Sequence, residues 1–142
     1  MLTVLPVALI TTFAALALVH VYWACGGQFA RVSALPELRG RPTFLPGRMA
    51  TLLVAGALFA CATLVAAATG FIDAPVTARA IQRMCYGLAL LLLLRAIGDF
   101  RLLGFFKKFH GSRFAWLDSV LFSPLSLLLA VGVLLVGWNA AA

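Results

Sequence analysis

The stretch Met84-Cys-Tyr-Gly-Leu-Ala-Leu-Leu-Leu-Leu-Leu-Arg95-Ala-Ile-Gly98-Asp99-Phe100 decides how this chain folds. Extended back to Thr77, it is long enough to cross a hydrocarbon core about 30 Å thick, which takes about 20 residues of helix. It also carries an arginine and an aspartate at the end of its apolar run, where a membrane helix needs a reason to hold them. Three further stretches reach the same length, from near Thr3 to Cys25, from near Met49 to Gly70 and from near Ala115 to Trp138. The whole composition agrees: 64% of the 142 residues are apolar, 11% are charged, and the mean hydropathy is +1.09. A soluble domain carries roughly a quarter charged residues, and a disordered chain is poorer in apolar ones. Both classes are excluded. The 12 glycines and 6 prolines show no period and the 3 cysteines are too few for a disulfide scaffold, so the fold class read from the sequence is an all-α membrane protein, a four-helix transmembrane bundle in one domain over residues 1–142.

The connections orient it. Between the first two spans, Gly26 to Arg48 holds Pro36, Pro42, Pro46, Arg31, Arg39, Arg41, Arg48 and the single glutamate, Glu37, and reads as a loop. Phe71 to Pro75 is a short link in which Asp73 and Pro75 read as start chemistry for the third span. The third link, Arg101 to Phe114, sets Arg101, Lys107, Lys108 and Arg113 among Phe105, Phe106 and Phe109, an interfacial basic loop suited to the headgroup layer. Eight basic residues flank the spans in the first and third loops against Arg79 and Arg83 on the other side. Cytoplasmic loops carry such an excess, so both long loops are expected inside and both termini outside the cytoplasm. The first span has no basic side chain before His20, as a secretory signal would need, and is expected to be retained. Cys25, Cys61 and Cys85 form no close pair and read as buried, unpaired thiols. Trp23, Trp116 and Trp138 suit aromatic belts at the two interfaces.

Topology then gathers the ionisable residues of the spans. His20 is near the inner end of the first helix, Arg95 and Asp99 are in the last turns of the third, which also runs inward, and Asp118 is early in the fourth, which starts inside. All four are expected at one depth, in the cytoplasmic half of the bundle. Arg95 and Asp99, at i and i+4, share a helix face; His20 and Trp23, at i and i+3, share another. In a regular α-helix Asp118 lies beside Phe114, Leu121 and Phe122, with Ser119, Ser123 and Ser126 on a neighbouring stripe suited to close packing or a cross-helix hydrogen bond. Each feature has two readings. Arg95 and Asp99 form either a structural ion pair or part of a site, His20 either hydrogen-bonds a neighbouring helix or carries a proton, and Asp118 needs a partner in either case.

A metal site from His20, Asp99, Asp118 and Cys25 has suitable ligand types, but Arg95 and Arg101 would repel a cation and no tight ligand spacing exists. No metal is expected. No nucleophile elbow, phosphate-cradling glycine loop, redox CxxC or histidine pair for haem is present, so no cofactor is expected. The net charge of +7 is accounted for by the loop asymmetry and points to anionic lipid, not to nucleic acid.

Several of these residues also form a family pattern. His20-Val-Tyr-Trp23-Ala-Cys-Gly26-Gly27, the loop prolines Pro36 and Pro46, Arg95-Ala-Ile-Gly98-Asp99-Phe100, Gly104-Phe105-Phe106-Lys107, Phe114-Ala115, Asp118 and Ser123-Pro124-Leu125 resemble a family of small bacterial four-helix inner-membrane proteins, domain-of-unknown-function family 3995. The resemblance covers nearly the whole chain. It implies a bacterial inner-membrane protein and brings no activity, substrate or cofactor with it.

Two functional readings follow for the polar set His20, Trp23, Arg95, Asp99 and Asp118. One is a site at the cytoplasmic leaflet in which Arg95 contacts a lipid headgroup or the acidic end of a small amphiphile, Asp99 orients Arg95, and His20 and Asp118 bind or exchange a proton. An enzyme acting on a lipid-like substrate would use the same residues in acid–base roles. The other is a non-enzymatic helper or subunit whose polar cluster is structural and which binds another membrane protein or a second copy of itself.

Overall fold

The computed structural model describes residues 3–29, 37–38, 41–42, 46–98 and 113–140. Its helices are α1 (Val4–Ala24), α2 (Arg48–Ala68), α3 (Ala78–Ile97), α4 (Arg113–Leu117) and α5 (Ser123–Asn139), with one π turn, Asp118–Phe122, joining the last two into a single rod. Between α1 and α2 the two-residue strands β1 (Glu37–Leu38) and β2 (Arg41–Pro42) pair antiparallel, Glu37 opposite Pro42 and Leu38 opposite Arg41. Four helices among the described residues are long and apolar enough to cross a membrane, Val4–Ala24, Arg48–Ala68, Ala78–Ile97 and Ala115–Asn139. The chain is a multi-pass membrane protein of four spans, as the hydropathy predicts.

Local chemistry sets the helix ends. After α1 the Gly27 N–H bonds the Tyr22 carbonyl and the Gly26 N–H bonds the Trp23 carbonyl, and after α2 Phe71 and Gly70 repeat this on Ala66 and Ala67. Both are Schellman stops, which satisfy carbonyls that hydrocarbon would leave unpaired. Gly26 and Gly70 hold the left-handed positions that the motif requires, at φ +101° and +73°. The cap of α3 is Thr77, whose hydroxyl accepts from the Ala80 N–H at 3.3 Å, and Asp73 and Pro75 lie in the turn before it. α3 stops at Ile97, short of the expected Phe100.

Antiparallel neighbours pack most extensively, α1 on α2 and α3 on α5, and α2–α3 and α1–α5 contacts join the two pairs. The end carrying Thr3, Thr69, Thr77 and Asn139 holds the larger core side chains, Leu9 and Phe13 from α1, Val65 from α2, Ile81 from α3, and Leu129, Val133 and Val136 from α5. The opposite half is closed by small ones, with Ala17, Ala24, Thr51, Ala55, Ala96 and Ala115 all buried. Large apolar side chains such as Leu53, Leu91, Leu94 and Leu128 face outward instead. In water such a surface would drive aggregation, whereas in lipid it costs nothing and close backbone packing holds the helices together.

Two glycines of α5 allow that packing. A Cβ at Gly132 would stand 2.8 Å from Leu9 Cδ2, and one at Gly137 would stand 2.7 Å from Cys85 Cβ. The Gly137 carbonyl also accepts from Gln82 Nε2 at 3.2 Å, tying α3 to α5. A Cβ at Gly87 would meet nothing within 4 Å. Gly137→Ala should therefore cost about 1–3 kcal/mol through overpacking, while Gly87→Ala should be neutral or stabilising, and thermal unfolding of the two variants in detergent checks the contrast.

Candidate functional site

The Arg95–Asp118 pair joins the last turn of α3 to the start of the π turn. Arg95 Nη2 donates to Asp118 Oδ1 at 2.8 Å, with Asp118 at 0% exposure and the arginine side chain at 33%. The carboxylate is thus enclosed by the bundle, while the arginine side chain as a whole keeps one third of its surface exposed. Two buried polar atoms nearby along these same elements, Arg95 Nη1 and Ser123 Oγ, have no hydrogen-bond partner among the described residues. Such groups carry the cost of lost hydration without a compensating bond.

The π turn sets the phase of this site. The Ser123 N–H bonds the Asp118 carbonyl, an i to i+5 bond. In an α-helix five residues would rotate Ser123 about 140° away from Asp118, yet both side chains are fully buried. Pro124 supplies a reason for the wider turn: it has no N–H to give the Val120 carbonyl, and its ring clashes with a carbonyl at i−4. The Ser126 hydroxyl donates to the Phe122 carbonyl at 2.7 Å and so occupies one acceptor at this turn. The regular-helix expectation for the fourth span is corrected here. Leu121 faces outward at 50% exposure, and Ser123 joins Asp118 on the interior side.

The other expected partners divide. His20 Nδ1 lies 2.7 Å from the Leu16 carbonyl, so this nitrogen donates and the bond is to its own helix, not to a neighbour. Nε2 is the nitrogen left for other chemistry. The Trp23 ring meets His20 edge-on, centroids 5.0 Å apart, and Trp23 Nε1 donates to the Phe29 carbonyl at 2.9 Å. Among the described residues, no hydrogen bond or ion pair joins His20 to Arg95 or Asp118, so the structure brings together Arg95 and Asp118, and separately His20 and Trp23.

The shared helical face expected of Arg95 and Asp99 meets a break. Gly98, at φ +89° and ψ −175°, takes a conformation essentially confined to glycine and turns the chain out of the helix after Ile97. Asp99, Arg101, Lys107 and Lys108 lie outside the described residues, and Arg113 enters as the first residue of α4. Cys25 is exposed, against expectation, because it is the residue at which α1 ends; Cys61 is half-buried, Cys85 is buried and all three are free thiols. Trp116 and Trp138 stand outward at the two ends of the fourth span.

Arg48, a loop charge in the sequence, has a structural task. Its Nε donates to the Ala24 carbonyl at 3.1 Å, linking the start of α2 to the end of α1. Gln82 carries no charge, so the rule that marks ionisable residues within spans passes over it. The signal for the π turn was the proline six residues after Asp118.

A family model described as "Protein of unknown function (DUF3995)" matches residues 13–133. The chain belongs to this family. The match takes in His20, Arg95, Asp118 and Ser123, so the polar elements of this DUF3995 chain lie within the family's domain. No curated protein and no solved structure matches it.

The unequal burial of the pair gives an ordered prediction. Removing Arg95 takes a charge-assisted bond from a carboxylate with no exposed surface, whereas removing Asp118 leaves an arginine whose side chain is one-third exposed. Arg95→Met should cost roughly 3–5 kcal/mol and Asp118→Asn about 1–2 kcal/mol. Unfolding in detergent should rank the two variants in that order.

Proposed function

We propose that this chain binds an anionic group, the phosphate of a lipid headgroup or the acidic end of a small amphiphile, at Arg95 where α3 and the fourth span meet. The observation that carries the reading is the state of the guanidinium. One nitrogen is held at 2.8 Å by a buried carboxylate, which fixes the side chain, while buried Nη1, and buried Ser123 Oγ at the end of the π turn that carries Asp118, have donors without an acceptor among the described residues. An anion supplies what they lack, since arginine takes phosphate or carboxylate by paired N–H donors. Asp118 then serves as a positioning residue, and His20, whose Nδ1 is spent on the Leu16 carbonyl, offers Nε2 toward the inner end of α1.

The membrane frame belongs to the same proposal. The excess of loop arginines and lysines supports a bacterial inner membrane as the setting, the Arg95 end on the cytoplasmic side and both termini outside. Exposed Cys25 marks that end. An impermeant maleimide added to intact cells should leave Cys25 unlabelled and should label it in inverted vesicles; labelling in intact cells overturns the orientation.

The test of binding uses the full chain in detergent carrying phosphatidylglycerol and phosphatidylcholine, with retained lipid counted by native mass spectrometry. The expected result is one phosphatidylglycerol held per chain in high salt, reduced about tenfold by Arg95→Gln and severalfold by Ser123→Ala. Lys107→Gln with Lys108→Gln should remove only a salt-sensitive, non-saturating component. Equal retention of both lipids, or loss of folded protein in Arg95→Gln without any lipid preference in the native chain, would assign the pair to helix packing and favour a helper or subunit with a membrane-protein partner.

A further inference from the structure

A cavity lies at the end of the bundle opposite Arg95 and has a different chemistry. It encloses about 420 Å³ between the start of α1 and the ends of α2 and α5, within the range of small-ligand sites. Buried Pro6 and Val136 form its floor and Ala68 one wall, and its polar lining comes from Thr3, Thr69 and Asn139, one residue from each helix end. No charged side chain is among the lining residues.

The polar rim has a defined bias. Thr69 Oγ1 donates to the Val65 carbonyl at 2.8 Å and Asn139 Nδ2 donates to the Leu135 carbonyl at 2.7 Å. The threonine's lone pairs and the amide oxygen Oδ1 remain as acceptors. Thr3 stands at the start of α1 without a side-chain capping bond, so its hydroxyl is also uncommitted to the helix. Two helix C-termini, of α2 and α5, meet one N-terminus, of α1, at this cavity. The partial charge of C-termini is negative, which disfavours a phosphate and favours a head that donates hydrogen bonds. An apolar floor beneath a rim of acceptors, at the level where three spans end, suits one kind of molecule.

We propose that this cavity holds an uncharged, hydroxyl-headed lipid of the long-chain alcohol or diacylglycerol class, its hydroxyl on Thr69 and Asn139 and the start of its chain against Pro6, Ala68 and Val136. This site is independent of the Arg95 reading and lies in the opposite membrane leaflet from it. A further cavity of about 230 Å³, between Tyr86, Leu90 and Leu134 on the outer face of α3 and α5, is almost wholly apolar and serves as a measure of unselective lipid contact.

The experiment labels the full chain in nanodiscs with a photoactivatable hexadecanol and maps the adducts. The expected result is adducts at Ala68–Phe71 and Leu135–Asn139 that hexadecanol competes away and hexadecyl phosphate does not. Ala68→Trp, which fills the wall, should reduce them at least tenfold while leaving adducts near Tyr86 and Leu134 unchanged. Asn139→Leu, at an exposed position where folding is not at risk, should reduce them severalfold. Competition by hexadecyl phosphate as strong as by hexadecanol overturns the proposal. So does labelling no more selective than that of the Tyr86 groove, or labelling that survives both substitutions. The outcome leaves the lipid retention of Arg95→Gln untouched, so the two sites stand or fall separately.

Discussion

Asp118 is a carboxylate with no exposed surface inside a helix that lies in hydrocarbon, and the 2.8 Å bond from Arg95 is the constraint to which that end of the bundle conforms. Without water, a buried carboxylate has to be paired or neutralised. The pairing fixes the rotation of the fourth span against the end of α3, and the small side chains Ala96 and Ala115 leave room for the two helices to approach there. Gly98 then ends α3 one turn beyond Arg95, so that Arg95 lies in the helix's last turn and one third of its side-chain surface stays exposed. A longer α3 would carry the helical backbone past the interface and leave Arg95 deeper in the bundle.

The two halves of the molecule are held by different means. At the Thr3 end, Leu9, Phe13, Val133 and Val136 fill the interior, and Gly132 and Gly137 bring α5 against Leu9 and Cys85. At the Asp118 end, alanines and polar contacts do the corresponding work, with Arg48 on the Ala24 carbonyl and Arg95 on Asp118 each tying one helix to another. Apolar packing in lipid has no hydrophobic driving force behind it, so closeness of approach decides its strength. A directional bond is less tolerant of displacement than a packed alanine. The polar half is thus the half in which a small shift between the α1–α2 and α3–α5 pairs would be felt first.

The four spans were legible because length and hydropathy are sufficient evidence for a membrane helix, and the meeting of Arg95 with Asp118 was legible because chain direction alone puts them at one depth. Phase was less legible. An i and i+4 spacing of Arg95 and Asp99 describes a helix that runs on through Gly98, whereas α3 ends at Ile97 and Asp99 lies outside the described residues. Setting Asp118 beside Leu121 assumes 3.6 residues per turn up to Pro124, and the π turn breaks that assumption. A glycine in one case and a proline in the other carried the backbone preference. Gln82 and Arg48 were missed for another reason. Their work is to satisfy backbone carbonyls of distant helices, Gly137 and Ala24, and such acceptors are identified by tertiary contact and not by spacing.

The π turn is where stability and chemistry pull apart. Replacing a buried ion pair by apolar residues of similar volume is often neutral or stabilising, and a regular α-helix through residues 118–122 would keep every backbone bond in its ordinary register. This chain instead has a proline that opens the helical ladder, a serine buried beside the opening with its hydroxyl unspent among the described residues, and an arginine with one nitrogen in the same condition. A partly satisfied polar network is less stable than a dry apolar contact of the same size. Helix packing alone accounts for the Nη2–Oδ1 bond; the anion proposed above would also engage Nη1 and Ser123 Oγ, which have no partner among the described residues.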